Sequence, residues 1–279
     1  EGPTVDKKRV LLDLTKALRN TKQRRVDVHP IVHSRVPLIK ITDIPTNIAC
    51  DISMENDLSI YKASLLRTYV SLDGRVAPLL SLIKTWAKAR GINDASEHTL
   101  NSFGYTLLLI QFLQTRQPPV LPCLQADKIS INGSEITLPP PVYEVSESIK
   151  VQYHGCDAPT HDSVPALASF SKGNTASVAE LFLQFLHFIA VDFDFDSQCV
   201  CVRQGRVLPA DKEQFKHKHA AHLCIEDPFD RCDNVARSLT PVSSKRVRFE
   251  ILRAYEIMKT TGDFAQCCRP VGGKEKKER

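Results

Sequence analysis

The segment from Leu82 to Leu107 constrains the fold most, because it contains two helical patterns of different character separated by a short polar loop. In the first pattern Lys84 and Lys88 are four residues apart and share one helix face, while apolar residues form the other face. Gly91 is a helix stop signal. The second pattern is strongly apolar. We therefore expect a buried helix beside a helix whose polar face carries two ammonium groups one turn apart.

The start of the second helix offers groups suited to a nucleotide. Thr99, Asn101 or Ser102 can cap it, and the N–H groups of a first helical turn attract phosphate. The rings of Phe103 and Tyr105 follow directly. However, lysines on one helix face are commonly solvated, and an aromatic residue at a helix start is commonly part of the core. Spacing alone therefore leaves a nucleotide site and an ordinary packed helix pair both open.

The same segment resembles the noncanonical poly(A) polymerases and terminal uridylyltransferases. Their pattern of Ile-Lys-x-Trp-Ala-Lys, a loop and Leu-Ser-Ser-Tyr-Gly-Tyr is matched by residues 83–105. The resemblance implies that Lys84 and Lys88 hold the outer phosphates of a nucleoside triphosphate. It also implies that Phe103 stacks on the base beside Ser102. Phe in place of the usual Tyr keeps the stacking face and loses only a hydroxyl.

A carboxylate on a predicted strand matches a second feature of this family. Residues 48–53 read as a strand in which Asp51 points to the opposite face from its apolar neighbours, and Asp is disfavoured in strands. The resemblance implies that Asp51 is the third catalytic carboxylate. It would ligate Mg²⁺ or Mn²⁺ and help deprotonate an RNA 3′-hydroxyl, while a second metal stabilises the departing pyrophosphate.

The segment from Leu223 to Arg237 resembles the family's Ile-Glu-Asp-Pro-Phe nucleotide-recognition motif, which lies beside the base. Asp230 and Asp233 occupy positions where uridylyl-transferring members present acidic or imidazole groups to uracil N3–H. A carboxylate accepts from N3–H of uracil but leaves N1 of adenine unsatisfied, so the match predicts UTP. Lys62 and Ala63 depart from the Asn and small hydroxyl residue that usually sense the ribose and uracil O2. Lys62 can still donate to O2.

Two further motifs carry metal-binding residue types. The Val-Asp-Phe-Asp-Phe-Asp run at 191–196 has the spacing of a metal-binding carboxylate pair, but no Gly-Ser phosphate loop precedes it. In the family a Phe-Asp-Phe before a Val-x-Val-Arg strand is structural, and we interpret this run in the same way. The cluster of His217, His219, His222 and Cys224 lacks the Cys-x₂-Cys spacing of a zinc site, so a polar loop is the favoured interpretation and metal binding stays open.

The composition is that of a soluble globular protein. Of 279 residues 42% are hydrophobic and 25% charged, and no apolar run approaches the length of a membrane span. The net charge of +5 permits a polyanionic partner without requiring one. Nine scattered cysteines favour a reducing compartment over a disulfide framework. Because the chain begins at Glu1 without a leader, we expect it to be a piece of a longer polypeptide.

The pattern as a whole predicts an α+β chain with two domains and a tail. Residues 1–56 are expected to form the C-terminal part of a nucleotidyltransferase palm, and residues 57–262 a mainly helical, poly(A)-polymerase-associated nucleotide-recognition domain. Residues 263–279 would be a basic tail. Helices are expected at 7–20, 58–70, 78–90, 105–115, 177–190 and 246–259, and strands at 26–32, 35–42, 48–53, 128–131, 135–138 and 199–203.

The expected function is template-independent transfer of UMP from UTP to the 3′ end of RNA, within an RNA-processing complex that contains other proteins. The family's Gly-Ser loop and first Asp-x-Asp are missing upstream of Asp51, so this stretch alone should be inactive. Two alternatives remain: a poly(A) polymerase that uses ATP, and a noncatalytic relative that binds RNA or proteins. A similarity to the RNA-editing uridylyltransferases of trypanosomatids would imply a mitochondrial protein, with a cytoplasmic one as the alternative.

Overall fold

The computed structural model describes residues 6–21, 25–34, 36–54, 57–131, 134–137, 143–146, 149–155, 165–216 and 222–270. The chain divides into two units, Glu1–Tyr61 and Lys62–Arg279. Both units combine helices with small sheets. The α+β class predicted from the sequence is therefore confirmed.

The first unit is a helix on a three-stranded antiparallel sheet of order β1-β2-β3. Its elements are α1 (Lys7–Arg19), β1 (Val26–Ile31), β2 (Leu38–Asp43) and β3 (Ile48–Ser53). The next helix, α2 (Asp57–Leu72), contains the boundary between the two units. The helix and the three strands predicted for this region are all present.

Helix α1 is held on the sheet by its apolar face. Asp6 caps the helix by accepting two N–H groups of the first turn. Leu11 packs with Val28 and Ile39 in a buried cluster. At the other end, Nη2 of Arg19 donates to the carbonyl of Val28 at 2.6 Å. Nε of Arg19 donates to the same carbonyl at 3.2 Å, so the helix is fixed to β1 by apolar packing and by two charged hydrogen bonds.

Asp51 lies in β3 as the sequence predicts, in register with Lys40 of the neighbouring strand. Both side chains are exposed. The alternation of the strand leaves Ile52 half-buried, but Ile48 on the same face is 65% exposed. Asp51 is therefore a solvent-accessible carboxylate with a lysine directly across the strand pair.

The second unit is mainly helical. Its helices after α2 are α3 (Val76–Ala89), α4 (Ser102–Gln114), α5 (Val178–His187), α6 (Pro241–Thr261) and α7 (Phe264–Cys267). Its strands are β4 (Lys128–Ile131), β5 (Ser134–Thr137), β6 (Tyr143–Ser146), β7 (Ile149–Val151), β8 (Gln198–Cys201), β9 (Arg206–Pro209) and β10 (Cys224–Ile225). The pairs β4-β5 and β6-β7 are antiparallel, and β8 lies between antiparallel β9 and parallel β10.

Helix α4 is the centre of this unit. Every residue from Gly104 to Gln114 is buried, as expected of a helix that is apolar on all sides. Phe112 packs edge-on against Phe185 of α5 with ring centroids 5.6 Å apart, and Trp86 of α3 packs against Tyr105 at 6.4 Å. Within the described residues, no helix combines the length and the apolar character that crossing a bilayer requires.

Helices α5 and α6 differ most from their predicted bounds, while the other predicted helices are displaced by at most three residues. Helix α6 begins at Pro241, where the hydroxyl of Thr240 accepts the N–H of Ser243 at 3.2 Å. Proline at the first helical position is a start signal that apolar spacing alone does not register. Helix α5 ends at His187 and continues as a wider π-helical turn over Phe188–Asp192. The predicted single helix over 177–190 is therefore a capped α-helix followed by a different turn.

The chain after α6 is folded for some distance into the region predicted as a basic tail. Asp263 caps α7, and Phe264 packs against Phe182 of α5 with ring centroids 5.7 Å apart. Cys267 is fully buried. Residues 271–279 lie outside the described part of the chain.

A buried charge cluster fixes the end of α3 against α6. Glu250 accepts hydrogen bonds from Nε and Nη2 of Arg90, both at 2.8 Å, and from Nε of Arg253 at 3.0 Å. Burial alone raises the pKa of Glu250, but the bonds from the two arginines outweigh it and leave the pKa lowered. The same arginines donate to the carbonyls of Cys267 and Arg269. Three charged side chains therefore join α3, α6 and the segment around α7.

Replacing Glu250 with Gln is expected to lower the free energy of unfolding by about 3 kcal/mol, because Arg90 would remain buried without its carboxylate. Because the pKa of Glu250 is lowered in the folded protein, its contribution is complete above the ordinary pKa of glutamate and is lost as the pH falls below it. Urea unfolding at several pH values measures both effects. Glu256→Gln, at an exposed position of α6, is the matched control. An equal loss for both variants would contradict this account.

Candidate functional site

The two lysines of α3 lie on its polar face, as the spacing predicts. Lys84 is half-buried and Lys88 is exposed, whereas Ile83 and Trp86 are fully buried. Neither ammonium group makes a hydrogen bond or ion pair with another residue in the part of the chain that the structure describes. Two unneutralised cations one helical turn apart form a suitable place for a polyphosphate.

The start of α4 is built by three side chains. Of the three candidate caps Asn101 is the one used, and its Oδ1 accepts the N–H of Gly104 at 2.8 Å. Ser102 exchanges hydrogen bonds with the amide of Asn93, at 3.0 and 3.2 Å. Tyr105 donates to the carbonyl of Ile92 at 3.0 Å. The loop before the helix is thus fixed to its first turn, and the hydroxyl of Ser102 has a defined position.

Lys62 connects the start of α4 with the loop after β10. Its Nζ lies 5.6 Å from the centroid of the Phe103 ring, within the range of a cation–π contact. The same ammonium forms an ion pair with the carboxylate of Asp227, whose side chain is 1% exposed. Aromatic ring, ammonium and carboxylate therefore meet at one place. The sequence analysis assigned the start of α4 and the loop after β10 to one site, and the structure shows the contact that connects them.

Asp227 also shapes the loop that it belongs to. Its Oδ1 accepts the N–H groups of Phe229 at 3.0 Å and Asp230 at 3.1 Å, which is the geometry of an Asp-initiated turn. The carbonyl of Pro228 accepts a bond from Nε2 of Gln125 at 2.8 Å. The ring of Phe229 packs against Tyr153 with centroids 6.2 Å apart. The loop is therefore held in one conformation from both sides.

Asp230 and Asp233 are largely buried, and each is paired with a cation. Nζ of Lys216 lies 2.8 Å from Oδ2 of Asp230. Nη1 of Arg237 donates to both oxygens of Asp233, at 2.8 and 2.9 Å. With the pair of Lys62 and Asp227, three carboxylates of the loop each have a cation partner. Asp230 and Asp233 therefore share their acceptor capacity with Lys216 and Arg237, which the sequence analysis did not assign to the site.

Several residues of this arrangement were missed from the sequence. Asp227 had a usable signal, since an Asp before Pro-Phe is placed to accept the following N–H groups. Arg237 is four residues after Asp233, which is the spacing of a favourable pair. Asn93 and Lys216 gave no such signal, because their partners Ser102 and Asp230 lie nine and fourteen residues away in irregular segments.

The other motifs are explained by local structure. The carboxylate of Asp194 accepts from the N–H of Asp196 and the hydroxyl of Ser197, and these bonds lower its pKa, with Ser197 contributing most. The run therefore forms a turn before β8. In the His/Cys cluster, burial raises the pKa of the Cys224 thiol, while His217 and His219 lie outside the described residues. Within the described ranges, no group of three metal-ligating side chains is present.

Two family models match separate parts of the chain. One, described as the central palm domain of mitochondrial-like poly(A) RNA polymerase, matches residues 2–71. The other, described as Cid1 family poly A polymerase, matches residues 177–232. The first match contains Asp51 and Lys62, and the second contains Asp227 and Asp230.

Curated relatives match nearly the whole chain. Poly(A) RNA polymerase GLD2 of Danio rerio is 33% identical over 256 residues, which cover 91% of this chain and 47% of the relative. Poly(A) RNA polymerase cid13 of Schizosaccharomyces pombe is 29% identical over 236 residues, covering 84% of this chain and 38% of the relative. The chain spans about half the length of the curated relatives it matches.

Solved structures share the fold. A crystal structure of the Cid1 poly(U) polymerase with Mg 3′-dATP bound superposes with a TM-score of 0.75 at 26% identity. The superposition covers 94% of this chain and 74% of that one. The recognised architecture therefore extends over both units of the chain.

Replacing Lys62 with Met is expected to lower the free energy of unfolding by about 2 kcal/mol, because Asp227 would keep a buried charge without its cation. Adding Asp227→Asn should recover part of this loss, since Asn keeps the acceptor for the turn and removes the charge. Chemical denaturation of the single and double variants measures the coupling. Lys128→Met is the control, because its ion pair with Glu135 is exposed on both sides and should contribute at most about 1 kcal/mol. Simple additivity of the Lys62 and Asp227 changes would contradict the pair.

Proposed function

The chain belongs to the family of noncanonical poly(A) and poly(U) polymerases, and we propose that the protein containing it adds nucleotides to the 3′ end of RNA without a template. The proposal rests on one observation: the Lys62 ammonium contacts both the Phe103 ring and the carboxylate of Asp227. This combination offers a stacking surface, a hydrogen-bond donor and a polar edge in one place, which are the groups needed to hold a base.

The remaining groups account for the rest of a nucleoside triphosphate. Lys84 and Lys88 present two unneutralised ammonium groups that would attract the outer phosphates. Ser102 lies directly before Phe103, and its hydroxyl, fixed by Asn93, would contact the sugar or a phosphate. Positioning of the triphosphate in this way would account for much of the rate, because phosphoryl transfer depends mainly on orientation and charge stabilisation.

Asp51 is the proposed catalytic carboxylate of the first unit. It is exposed on β3, and its oxygen atoms are the type of ligand that Mg²⁺ or Mn²⁺ prefers. As a single carboxylate it fits one position of a metal site, and the described residues do not complete a set of three ligands. A bound divalent ion would neutralise charge on the transferring phosphate. Asp51 would orient it and lower the cost of deprotonating the 3′-hydroxyl.

UTP is the first candidate substrate. Asp230 and Asp233 lie in the loop that contains Asp227, and a carboxylate can accept several hydrogen bonds at once. One of these carboxylates would accept uracil N3–H. Lys62 would donate to a uracil carbonyl oxygen, because an ammonium group has three donors and Asp227 occupies one.

ATP is the second candidate, and two observations favour it. Each of the three loop carboxylates is paired with a cation, Lys62, Lys216 or Arg237, so the repulsion expected at adenine N1 is reduced. The relatives from Danio rerio and Schizosaccharomyces pombe are both named poly(A) RNA polymerases. An ammonium such as Lys62 could also donate to a ring nitrogen of adenine.

Extension of a labelled RNA oligonucleotide by the full-length protein, with each of the four nucleoside triphosphates and Mg²⁺, tests the proposal. UTP is expected to give the fastest addition, and Asp233→Ala should reduce the ratio of UTP to ATP addition about tenfold, the loss of one charge-assisted hydrogen bond. Asp127→Ala, at an exposed site, is the control. No addition with any triphosphate would refute the function. An unchanged ratio would refute the role of Asp233 alone.

The lysines of α3 are expected to act on nucleotide binding. Lys84→Met and Lys88→Met should each raise the KM for the preferred triphosphate about tenfold, because each removes one charge-assisted contact to phosphate. Steady-state kinetics at fixed RNA concentration measures this effect. Lys245→Met removes a charge from an exposed position of α6 and should leave KM unchanged. A similar rise in KM for all three variants would indicate a general electrostatic effect instead.

A further inference from the structure

A polar cavity of about 530 Å³ opens in the second unit where α4 ends and α5 begins. Its lining includes Arg116, Gln117, Asn174, Thr175 and Gln184, and we call it the Arg116 pocket. Helix α4 has 13 residues, so its two ends are about 20 Å apart. The Arg116 pocket is therefore separate from the candidate site at Phe103.

The walls of the Arg116 pocket are fixed by hydrogen bonds. Nη1 of Arg75 donates to the carbonyls of Asn174 at 2.9 Å and Ala176 at 2.7 Å. The amide of Asn174 donates to the carbonyl of Pro118 at 2.7 Å, which joins the two sides of the cavity. Arg75 itself is held by Asp73, with bonds of 2.8 and 2.9 Å. The cavity is thus organised before any ligand enters.

The guanidinium of Arg116 is half-buried and stacked on aromatic rings. It lies 4.1 Å from the centroid of Phe112 and 5.7 Å from that of Phe188. Its Nε donates to the carbonyl of Phe112 at 3.1 Å. The group is therefore held flat against the protein at the edge of the cavity.

Arg116 differs from the other sheltered arginines of the described chain in having no carboxylate partner. Those that are buried or half-buried and form an ion pair with Asp or Glu are Arg75, Arg90, Arg203, Arg237 and Arg253. Arg116 makes no such pair among the described residues. The neighbouring carboxylate of Asp192 lies 3.2 Å from Nδ1 of His187 and acts on Arg116 through its charge without forming an ion pair with it.

This arrangement carries an energetic cost. Moving a guanidinium out of water without a counterion is unfavourable, and burial lowers the pKa of Arg116 in spite of the opposing effect of Asp192. An anion bound in the cavity would remove this cost. A half-buried cation without a carboxylate partner is therefore a ready binding group for an anionic ligand.

The charge and chemistry of the lining select among anions. The lining holds one cation and no carboxylate, which suits a group with a single negative charge better than a di- or triphosphate. The guanidinium fork matches two phosphate oxygens. Gln117, Thr175 and Gln184 offer amide and hydroxyl groups that can donate to and accept from a ribose or a base. The cavity volume is larger than a phosphate group requires and leaves room for a ribose or a base as well.

We propose that the Arg116 pocket binds one nucleotide of an RNA chain, with its phosphodiester on Arg116 and its sugar or base against the amides. The choice of RNA as the source of the phosphodiester rests on the proposed function. The pocket would provide a second contact for the acceptor RNA, away from the site of nucleotide addition. It would act on RNA affinity and not on selection of the triphosphate.

Binding of a fluorescently labelled oligoribonucleotide to the full-length protein, by anisotropy over a series of KCl concentrations, tests the proposal. Arg116→Met keeps the apolar stem on Phe112 and removes the guanidinium. It is expected to weaken binding about tenfold and to reduce the slope of log K against log salt by about 0.7, the value for one phosphate contact on a single strand. Arg206→Met removes an exposed guanidinium whose one hydrogen-bond partner among the described residues is Gln204, and it should change neither quantity.

Thr175→Ala combined with Gln184→Ala provides a second test at positions that do not support the core. It should weaken binding severalfold without changing the salt slope, since no charge is removed. Unchanged affinity in both this variant and Arg116→Met would overturn the proposal. Arg116-dependent binding of a labelled hexaglutamate peptide, with RNA affinity unaffected, would overturn it in favour of an acidic protein partner.

Extension assays on the same samples separate the two proposals. Arg116-dependent RNA binding by a wild-type protein that adds no nucleotides would refute the proposed function and leave the pocket supported. Nucleotide addition by the wild type, with RNA affinity and salt slope unchanged in Arg116→Met, would refute the pocket alone.

Discussion

The candidate site depends on one buried carboxylate. Asp227 accepts two N–H groups of its own loop and forms an ion pair with Lys62, which in turn lies over the ring of Phe103. A carboxylate that is 1% exposed is stable only when hydrogen bonds and a cation compensate its charge. The shape of the loop and the position of the ammonium group are therefore not independent. The loop needs the Lys62 ammonium to compensate Asp227, and Asp227 fixes this ammonium beside the Phe103 ring.

Charge balance distinguishes the regions of the second unit. In the loop after β10, Asp227, Asp230 and Asp233 each have a cation partner, and Glu250 likewise pairs with both Arg90 and Arg253. On the polar face of α3 and at the end of α4 the described cations have no such partners. Proteins rarely leave sheltered charge uncompensated without a functional reason. The balanced regions hold the fold together, and the unbalanced ones are where anionic ligands are proposed to bind.

Much of this could be predicted from sequence, and the failures have identifiable causes. Apolar spacing located α1 and α3, because each buries one regular face, and alternation located the first three strands, although β3 is mostly exposed. The start of α6 was misplaced since capping by Thr240 and Pro241 precedes the apolar pattern. The resemblance assigned two distant segments and Lys62 to one site, without the contact that connects them. The connection through Lys62 and Asp227 joins residues far apart in the chain, and no local pattern encodes such a contact.

The network around Glu250 links the helix of Lys84 and Lys88 to the segment around α7. Arg90 lies at the C-terminal end of that helix and donates to the carbonyl of Arg269, and Arg253 donates to the carbonyl of Cys267. A shift in the last described residues would therefore be transmitted to the far end of α3. Arg90 is far from Glu250 and Arg253 in the sequence, but its guanidinium contacts Glu250 in the fold. Substitutions at these positions should therefore co-vary among homologous sequences.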